Sequence, residues 1–550
     1  MSRPWLGALG IFALALVIYA LSLSPGVFSW DSAELTLGIY TQGIVHATGY
    51  PLYLILGRLF TLLPLSADFA IRANLFSAFC GALTLALVYL INLRLFQRPL
   101  IAALSALLFG LAREIWAQAV VAEVYTLHTA LLAGIILLVV NALGSKPRAT
   151  PKLETPEGVG ESTQNPSEQS NFSTSLEVSN PFVAEGFEPS VEYTQTPVLT
   201  GQLASVSSFP LLWGIALLFA LALANHMATI LVVLVLLPYL LWKIPTWRAR
   251  IITLVIIGGV AGALYLYLPL RFAAHPQFNL VAQYFDRDLS QPADLVWMVS
   301  GRMFGREMFA YPLLDWIGEI GKFVGELWLN FLGVGLLVGL LGIVQVWRTH
   351  RTLCLLLVGM FAAQVLFFSS YDVFDKWTMF HTAYLVWAIF VAAGSVWLLN
   401  RLPKIPVYAF LGVLVIVQLA GNWNVAGRSG DTYVADRARN LLTTLPQQAT
   451  LIGPWTAIRP AEYEQIVNGQ RNDIHMLDVT LLALGERDRL GGDSSDALTQ
   501  AVDARLQNAI ACAPAGVYVV DPAILDVNLY EVTYVQTGLY QVTKHPPGSC

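Results

Sequence analysis

The sequence predicts a mainly α-helical protein that crosses a membrane about eleven times and ends in a small α/β domain. Three observations predict it. Apolar residues fill 56% of the 550 positions and charged residues only 12%, against about 25% charge in a soluble domain. Apolar runs near the ~20 residues that fit a bilayer core recur along the chain. Beyond residue 423 the pattern changes to alternating helix-like and strand-like stretches.

Taken in order, the spans fall at about 6–24, 71–94, 100–113, 124–143, 209–224, 228–242, 251–269, 325–346, 353–371, 380–399 and 405–423. The first run, Trp5 to Leu23, is longer than a signal-peptide core and lacks a small-residue cleavage site before Pro25, so it reads as a retained span. The runs at 100–113, 209–224 and 228–242 are short for a bilayer. They extend through their flanks, or one is a half-helix. Orientation follows from the basic residues. With the N-terminus inside, the inner turns receive Arg3, Arg94 and Arg98, Lys146 and Arg148, Lys243 and Arg248, Arg348 and Arg351, and Arg401 and Lys404. This satisfies the positive-inside rule, with a cytoplasmic N-terminus in the cell membrane and an extracytoplasmic C-terminal domain.

Four regions are expected: a transmembrane region at 1–144 with an outer loop 25–70, an insert at 145–208, a second transmembrane region at 209–423, and the outer domain 424–550. The insert is rich in Pro, Ser, Thr, Gln and Glu, which predicts a disordered cytoplasmic segment. Its eight Glu against Lys146, Arg148 and Lys152 account for the net charge of −5. The rest of the chain is balanced, and no basic run points to nucleic acid. Four cysteines are too few for a disulfide framework. Cys80 and Cys354 fall in apolar spans, whereas Cys512 and Cys550 fall in the outer domain.

The topology sorts the polar residues. Asp31, Glu34 and His46 fall in the first outer loop, and Glu123 in the second. Asn225 and His226 follow the fifth span, Arg271 the seventh, and Asp372 and Asp375 the ninth. Each has a bland reading. WDSAEL fits a capping box, with Asp31 at the N-cap and Glu34 three residues on, in a helix running to Val45. HATGYPLY has good turn chemistry, Tyr125 suits an interfacial belt, and Arg271 suits a snorkelling anchor. Ionisable groups at a membrane edge are costly unless paired or used, and their gathering on one side is what the bland readings leave unexplained.

Absences narrow the chemistry. There is no phosphate-binding loop, no glycine-rich dinucleotide fingerprint, no HExxH or CxxC metal spacing, and no serine-hydrolase elbow. A carboxylate near an Arg and a His suits base-assisted displacement at an anionic leaving group. The carboxylate takes the acceptor's proton, and the Arg or His steadies a departing phosphate.

The run SWDSAELTLGIYTQGIVHATGYPLYLILGRLF resembles the opening signature of the domain-of-unknown-function 2723 family, which is similar to protein O-mannosyltransferases of the GT-C fold. The matching positions are Asp31, Glu34, His46, Gly49, Tyr50, Pro51 and Leu52, with Ala47 and Thr48 in place of the family's prolines. Four later segments resemble the family's other elements in order: 115–128 with Glu123 and Tyr125, 222–238 with Asn225 and His226, 264–279 with Arg271, and 369–385 with Asp372 and Asp375. The resemblance extends over roughly residues 5–400. It implies a GT-C-like transferase that uses a polyprenyl-phosphate-linked sugar, with Asp31 as the general base and Glu34 as the second acid. His46, Tyr50, Glu123, Tyr125, Asn225, His226, Arg271, Asp372 and Asp375 are then the expected donor and substrate contacts. The acceptor is a protein or glycan hydroxyl, and mannose is a candidate for the sugar. No cofactor is indicated; two outer acids could hold a divalent ion, but the lack of a third clustered carboxylate argues against it. The rival readings are a transporter or flippase, for which the sequence lacks the usual repeat, and a non-catalytic assembly protein.

Overall fold

The computed structural model describes residues 4–143, 209–491, 495–513, 515–526 and 529–544; the insert 145–208 lies outside them. Every apolar stretch read from the sequence lies in helix, and the chain is a multi-pass membrane protein. Among the described residues, seven helices are long and apolar enough to cross a membrane, or nine if each of two bent pairs is one span. Pro210–Asn225 and Thr229–Lys243 are shorter apolar helices. The expected eleven therefore includes two short helices and two broken ones.

The breaks have local causes. The run expected as one span at 325–346 is two helices, Leu313–Asn330 and Val334–Thr349, bent by 103°. Leu332 and Gly333 between them both have positive φ, a conformation that ends a right-handed helix. Leu313–Asn330 exposes Leu313, Leu314, Ile317 and Trp328 and buries Glu319, Phe323 and Asn330. That is the division expected of a helix lying in the membrane interface. The other half, Val334–Thr349, crosses His381–Leu399 at a glycine contact. A side chain at Gly342 would strike the Phe390 carbonyl, and one at Gly394 the Val338 carbonyl, so the backbones approach as closely as small residues permit.

The first loop carries two short helices, Asp31–Thr41 and Pro51–Thr61. The first stops at Thr41 rather than Val45 because Gln42 turns left-handed, φ 49°. The segment after Trp247–Tyr265 then wraps the chain beyond it. Ile44 and Asn279 form a parallel bridge, Tyr267 donates to the Gly43 carbonyl, and Arg271 donates to the carbonyls of Gln42 at 2.6 Å and Thr41 at 3.1 Å.

Beyond the last long helix, Lys404–Ala426, stands a five-stranded sheet. Its strands are β1 (Thr450–Gly453), β2 (His475–Asp478), β3 (Val517–Val519), β4 (Glu531–Gln536) and β5 (Leu539–Lys544), in the order β2-β1-β3-β5-β4. The β2-β1-β3 half is parallel, and β5 and β4 add antiparallel. The sheet and the first loop share one core, in which Ile452, Tyr463 and Leu481 join Leu35, Ile44 and Leu280. Gly485 lies so close to the Tyr284 carbonyl that a side chain there would clash.

Candidate active site

Where the first loop, the membrane helices and the sheet meet, they enclose a cavity of about 700 Å³. Asp31, His46, Tyr50, Tyr125, His226 and Asp375 line it, as do Trp30, Glu307, Tyr371, Trp455 and Thr480. The remaining wall is largely apolar and includes Ile230, Leu231, Phe367, Phe368 and Met379.

Asp31 is not a helix cap. Trp30 holds the N-cap position, with φ 60° and no side-chain capping bond, and Asp31 is the first helical residue. The capping-box reading also fails at Glu34. Its carboxylate is fully buried and accepts from His46, from the backbone N–H at 2.6 Å and from Nδ1 at 3.0 Å. The other ring nitrogen, Nε2, lies 2.9 Å from the Tyr50 hydroxyl, which donates on to the Ala47 carbonyl. Asp31 stands 3.7 Å from the same Nε2. Glu34 thus grips His46 from behind and aims it at Asp31. Ala47 and Thr48, which stand in place of the family's prolines, are both buried and are joined by a cis peptide.

The charges around the cavity set one another's protonation. Burial raises Asp31, His46 opposes this, Asp375 and Glu34 add to it, and the result is about 7. A quarter of the Asp31 side chain is exposed, but to the confined cavity, so removal from bulk water still dominates. Burial lowers His46, yet Glu34 and Asp31 outweigh it and hold the ring protonated up to about 9. Burial raises Asp375. Burial, then Asp31 and Asp375, pushes Glu123 well up. His226 is driven the other way, to about 4, by burial and then by the His46 charge. Its Nδ1 accepts from the Ala228 N–H at 3.1 Å, so the neutral ring carries its proton on Nε2. The site therefore offers a carboxylate poised near neutrality, an imidazolium, and a neutral imidazole donor.

Five of the expected site residues stand back from the cavity wall. Glu34 sits behind His46. Glu123 is buried near Asp31 and Asp375, its backbone N–H held by Ser77. Asn225 is buried and donates to the Val124 carbonyl. Asp372 accepts from the Tyr311 hydroxyl. Arg271 is spent on the carbonyls at the end of Asp31–Thr41, where a guanidinium satisfies groups a helix end leaves unpaired; it is not placed as a donor contact.

Sequence reasoning missed Trp30, Glu307, Tyr371, Trp455 and Thr480. Tyr371 lies within a segment already singled out, 369–385. Pro454-Trp455 and Val479-Thr480 follow the carboxyl ends of β1 and β2, the edge at which open α/β sheets bind ligands; strand prediction alone could have pointed there. The indole N–H of Trp455 is buried without a hydrogen-bond partner among the described residues, and its ring lies 5.5 Å from that of His46. Among the described residues, no group of three or more His, Cys, Asp and Glu is arranged to hold a metal ion.

A multi-pass helical body, an acid-bearing loop of two short helices and a small C-terminal sheet closing one cavity are arranged as in the GT-C fold. The structure aligns over 98% of both chains with ArnT from Cupriavidus metallidurans bound to undecaprenyl phosphate, at a TM-score of 0.54 and 13% identity. It aligns with the apo Archaeoglobus fulgidus oligosaccharyltransferase at a TM-score of 0.50 and 11% identity, covering 94% of this chain and 69% of that one. At such identities the likeness is one of fold. In sequence, residues 31–152 match the family model of the protein O-mannosyl-transferase TMEM260 N-terminal domain, a shorter stretch than the 5–400 expected and under that family's name. Protein O-mannosyl-transferase TMEM260 of Mus musculus is 30% identical over 132 residues, 24% of this chain and 18% of the relative. The Dictyostelium discoideum protein is 26% identical over 130 residues, 23% and 16% respectively. The match thus spans less than a fifth of either relative's length. The chain is O-mannosyltransferase-like in its amino-terminal region and GT-C in fold.

Proposed function

We propose that this protein transfers a sugar from a polyprenyl-phosphate-linked donor to an acceptor hydroxyl, with inversion, and that Asp31 is the general base. The observation that carries this reading is Asp31 itself: a carboxylate raised to about 7, on the wall of a cavity lined by both polar and apolar side chains. A base is most effective when its pKa lies near the working pH. The acceptor oxygen attacks the anomeric carbon as Asp31 takes its proton. The bond from that carbon to the phosphate oxygen breaks, and the phosphate leaves with the bonding pair. The His46 imidazolium and the His226 Nε2–H are the donors available to the departing charge. The apolar wall of Ile230, Leu231, Phe367 and Phe368 suits the first isoprene units of the tail.

The TMEM260 relatives are named protein O-mannosyl-transferases, which favours mannose as the sugar and a protein hydroxyl as the acceptor. Glu34, Tyr50, Tyr125 and Asp375 complete the site in this reading, and Glu123, Asn225 and Asp372 support it from behind. The orientation expected from the basic turns puts the cavity and the sheet outside the cell membrane.

The test is transfer of labelled sugar by purified membranes. Asp31→Asn keeps shape and hydrogen bonding but removes the base, and transfer should fall by about 10²–10⁴-fold. Near-wild-type turnover by Asp31→Asn at matched protein levels would sink the mechanism. A flippase would instead move the lipid without any glycosylated product.

A further inference from the structure

A second groove, of about 280 Å³, opens beside the cavity and shares Trp30 and Thr456 with it. Its floor is Phe28–Trp30, the three residues before Asp31. One wall is the helix Tyr433–Thr444, on which Tyr433, Arg437 and Leu441 recur at four-residue spacing and so share a face. The other wall is the start of the helix Trp455–Ile466. The transferase reading does not use this groove.

Three features say what the groove is for. It borders the candidate active-site cavity, because Trp30 and Thr456 line both spaces and Asp31 is the residue after Trp30. Trp30 itself is held at φ 60°, a conformation costly for a residue with a side chain, and its ring stacks on Phe374 at 4.8 Å. Backbone strain of this kind clusters at functional sites. Finally, Arg437 lines the groove half-buried, with its guanidinium beside Gly538, and makes no ion pair or side-chain hydrogen bond with any described residue. Its neighbour Arg439, by contrast, is matched by Asp436 and Glu464.

We propose that this groove receives the acceptor as an extended polypeptide segment, with an acidic side chain that Arg437 pairs within a few residues of the reacting hydroxyl. The inference rests on the transferase reading and names its acceptor. Val434, Ala438, Leu441, Ala457 and Pro460 form the apolar side of the groove, and Ser29, Asp431, Tyr433 and Thr456 line it beside Arg437; the Asp431 carboxylate is met by Arg428 at 4.0 Å. Apolar walls with one unmatched cation suit peptide side chains, and a charge-assisted guanidinium–carboxylate pair supplies the selectivity.

The experiment uses the full-length protein, a labelled polyprenyl-phosphate sugar, and three serine peptides that differ only in a flanking Asp, Asn or Lys. The Asp peptide should be used about tenfold better in kcat/KM than the Asn peptide, the scale of one charged hydrogen bond. Arg437→Gln should bring that ratio near one, and Arg437→Glu should shift preference to the Lys peptide. Each ratio is internal to one variant, so differences in folded amount cancel. Equal use of all three peptides by the wild type, an unchanged ratio in Arg437→Gln, or transfer to glycans but to no peptide would overturn the proposal. Sugar release that is absent from the wild type even with water as acceptor would instead overturn the transferase reading on which it stands.

Discussion

At the residue scale, the arrangement turns on two neighbouring groups titrating in opposite roles. In the proposed reaction Asp31 must lose its proton to act, and His46 must keep its own to meet an anionic leaving group. With Asp31 near 7 and His46 near 9, activity should rise as pH increases through about 7 and fall through about 9. The signs of the mutational shifts follow from the same charges. Asp375 raises Asp31, so Asp375→Asn removes a repelling carboxylate and should move the acid limb to lower pH. His46 lowers Asp31, so His46→Gln should move that limb up and abolish the alkaline one. A pH–kcat/KM profile for the three proteins checks this, and an acid limb that Asp375→Asn leaves in place would remove Asp31 as its source. Hydrogen bonds alone would leave the Glu34–His46 pair looking like a turn anchor. The approach of Asp31 to the same ring makes it part of the site.

At the element scale, the helix Asp31–Thr41 presents Asp31 and Glu34 from its first turn, and its far end is fastened from a distant segment. Arg271 supplies two hydrogen bonds to Gln42 and Thr41, and a bond from a charged donor contributes about 1.5–3 kcal/mol. Arg271→Gln should therefore lower thermal stability and reduce kcat, because the helix that carries Asp31, the proposed base, is less well held, while the donor KM changes little. Thermal unfolding and donor kinetics measured together decide it. A large rise in donor KM with unchanged stability would return Arg271 to the phosphate. The helix Leu313–Asn330 shows the same dependence on distant partners. Its Glu319 turns inward to Lys376 at 2.7 Å, next to Asp375, so an interfacial helix steadies the loop that brings a third carboxylate to the cavity.

At the scale of the whole molecule, hydropathy made the helical stretches legible, because each needs only its own composition to declare itself. The one-sided gathering of Asp31, His46, Tyr125, His226 and Asp375 was legible too, since the basic turns order the loops. The break at Gly333 was not, because a left-handed residue between two apolar runs leaves no mark on hydropathy. Nor was the role of Arg271, whose partners lie some 230 positions away, or the contribution of Trp455, which needs the sheet to be assembled before its turn meets the cavity.

Orientation is the remaining property of the whole chain, and the cysteines give it a chemical test. Cys80 and Cys354 are buried free thiols in the membrane body, whereas Cys512, at the end of the helix Ser495–Ala511, is disulfide-bonded. Cys550, the fourth cysteine, lies outside the described residues. Disulfides persist in oxidising compartments and are rare in the cytosol, so this bond and the basic inner turns independently favour an outer sheet. Alkylation of unreduced, denatured protein should then label two of the four cysteines, and all four after reduction. An Asn472→Cys variant, at an exposed position before β2, should react with a membrane-impermeant maleimide on intact cells. The folded membrane body should keep Cys80 and Cys354 silent in that assay. Four labelled thiols without reductant, together with reaction of position 472 only after the cells are opened, would reverse the orientation. They would also place the proposed acceptor groove, the cavity and Asp31 on the cytoplasmic face.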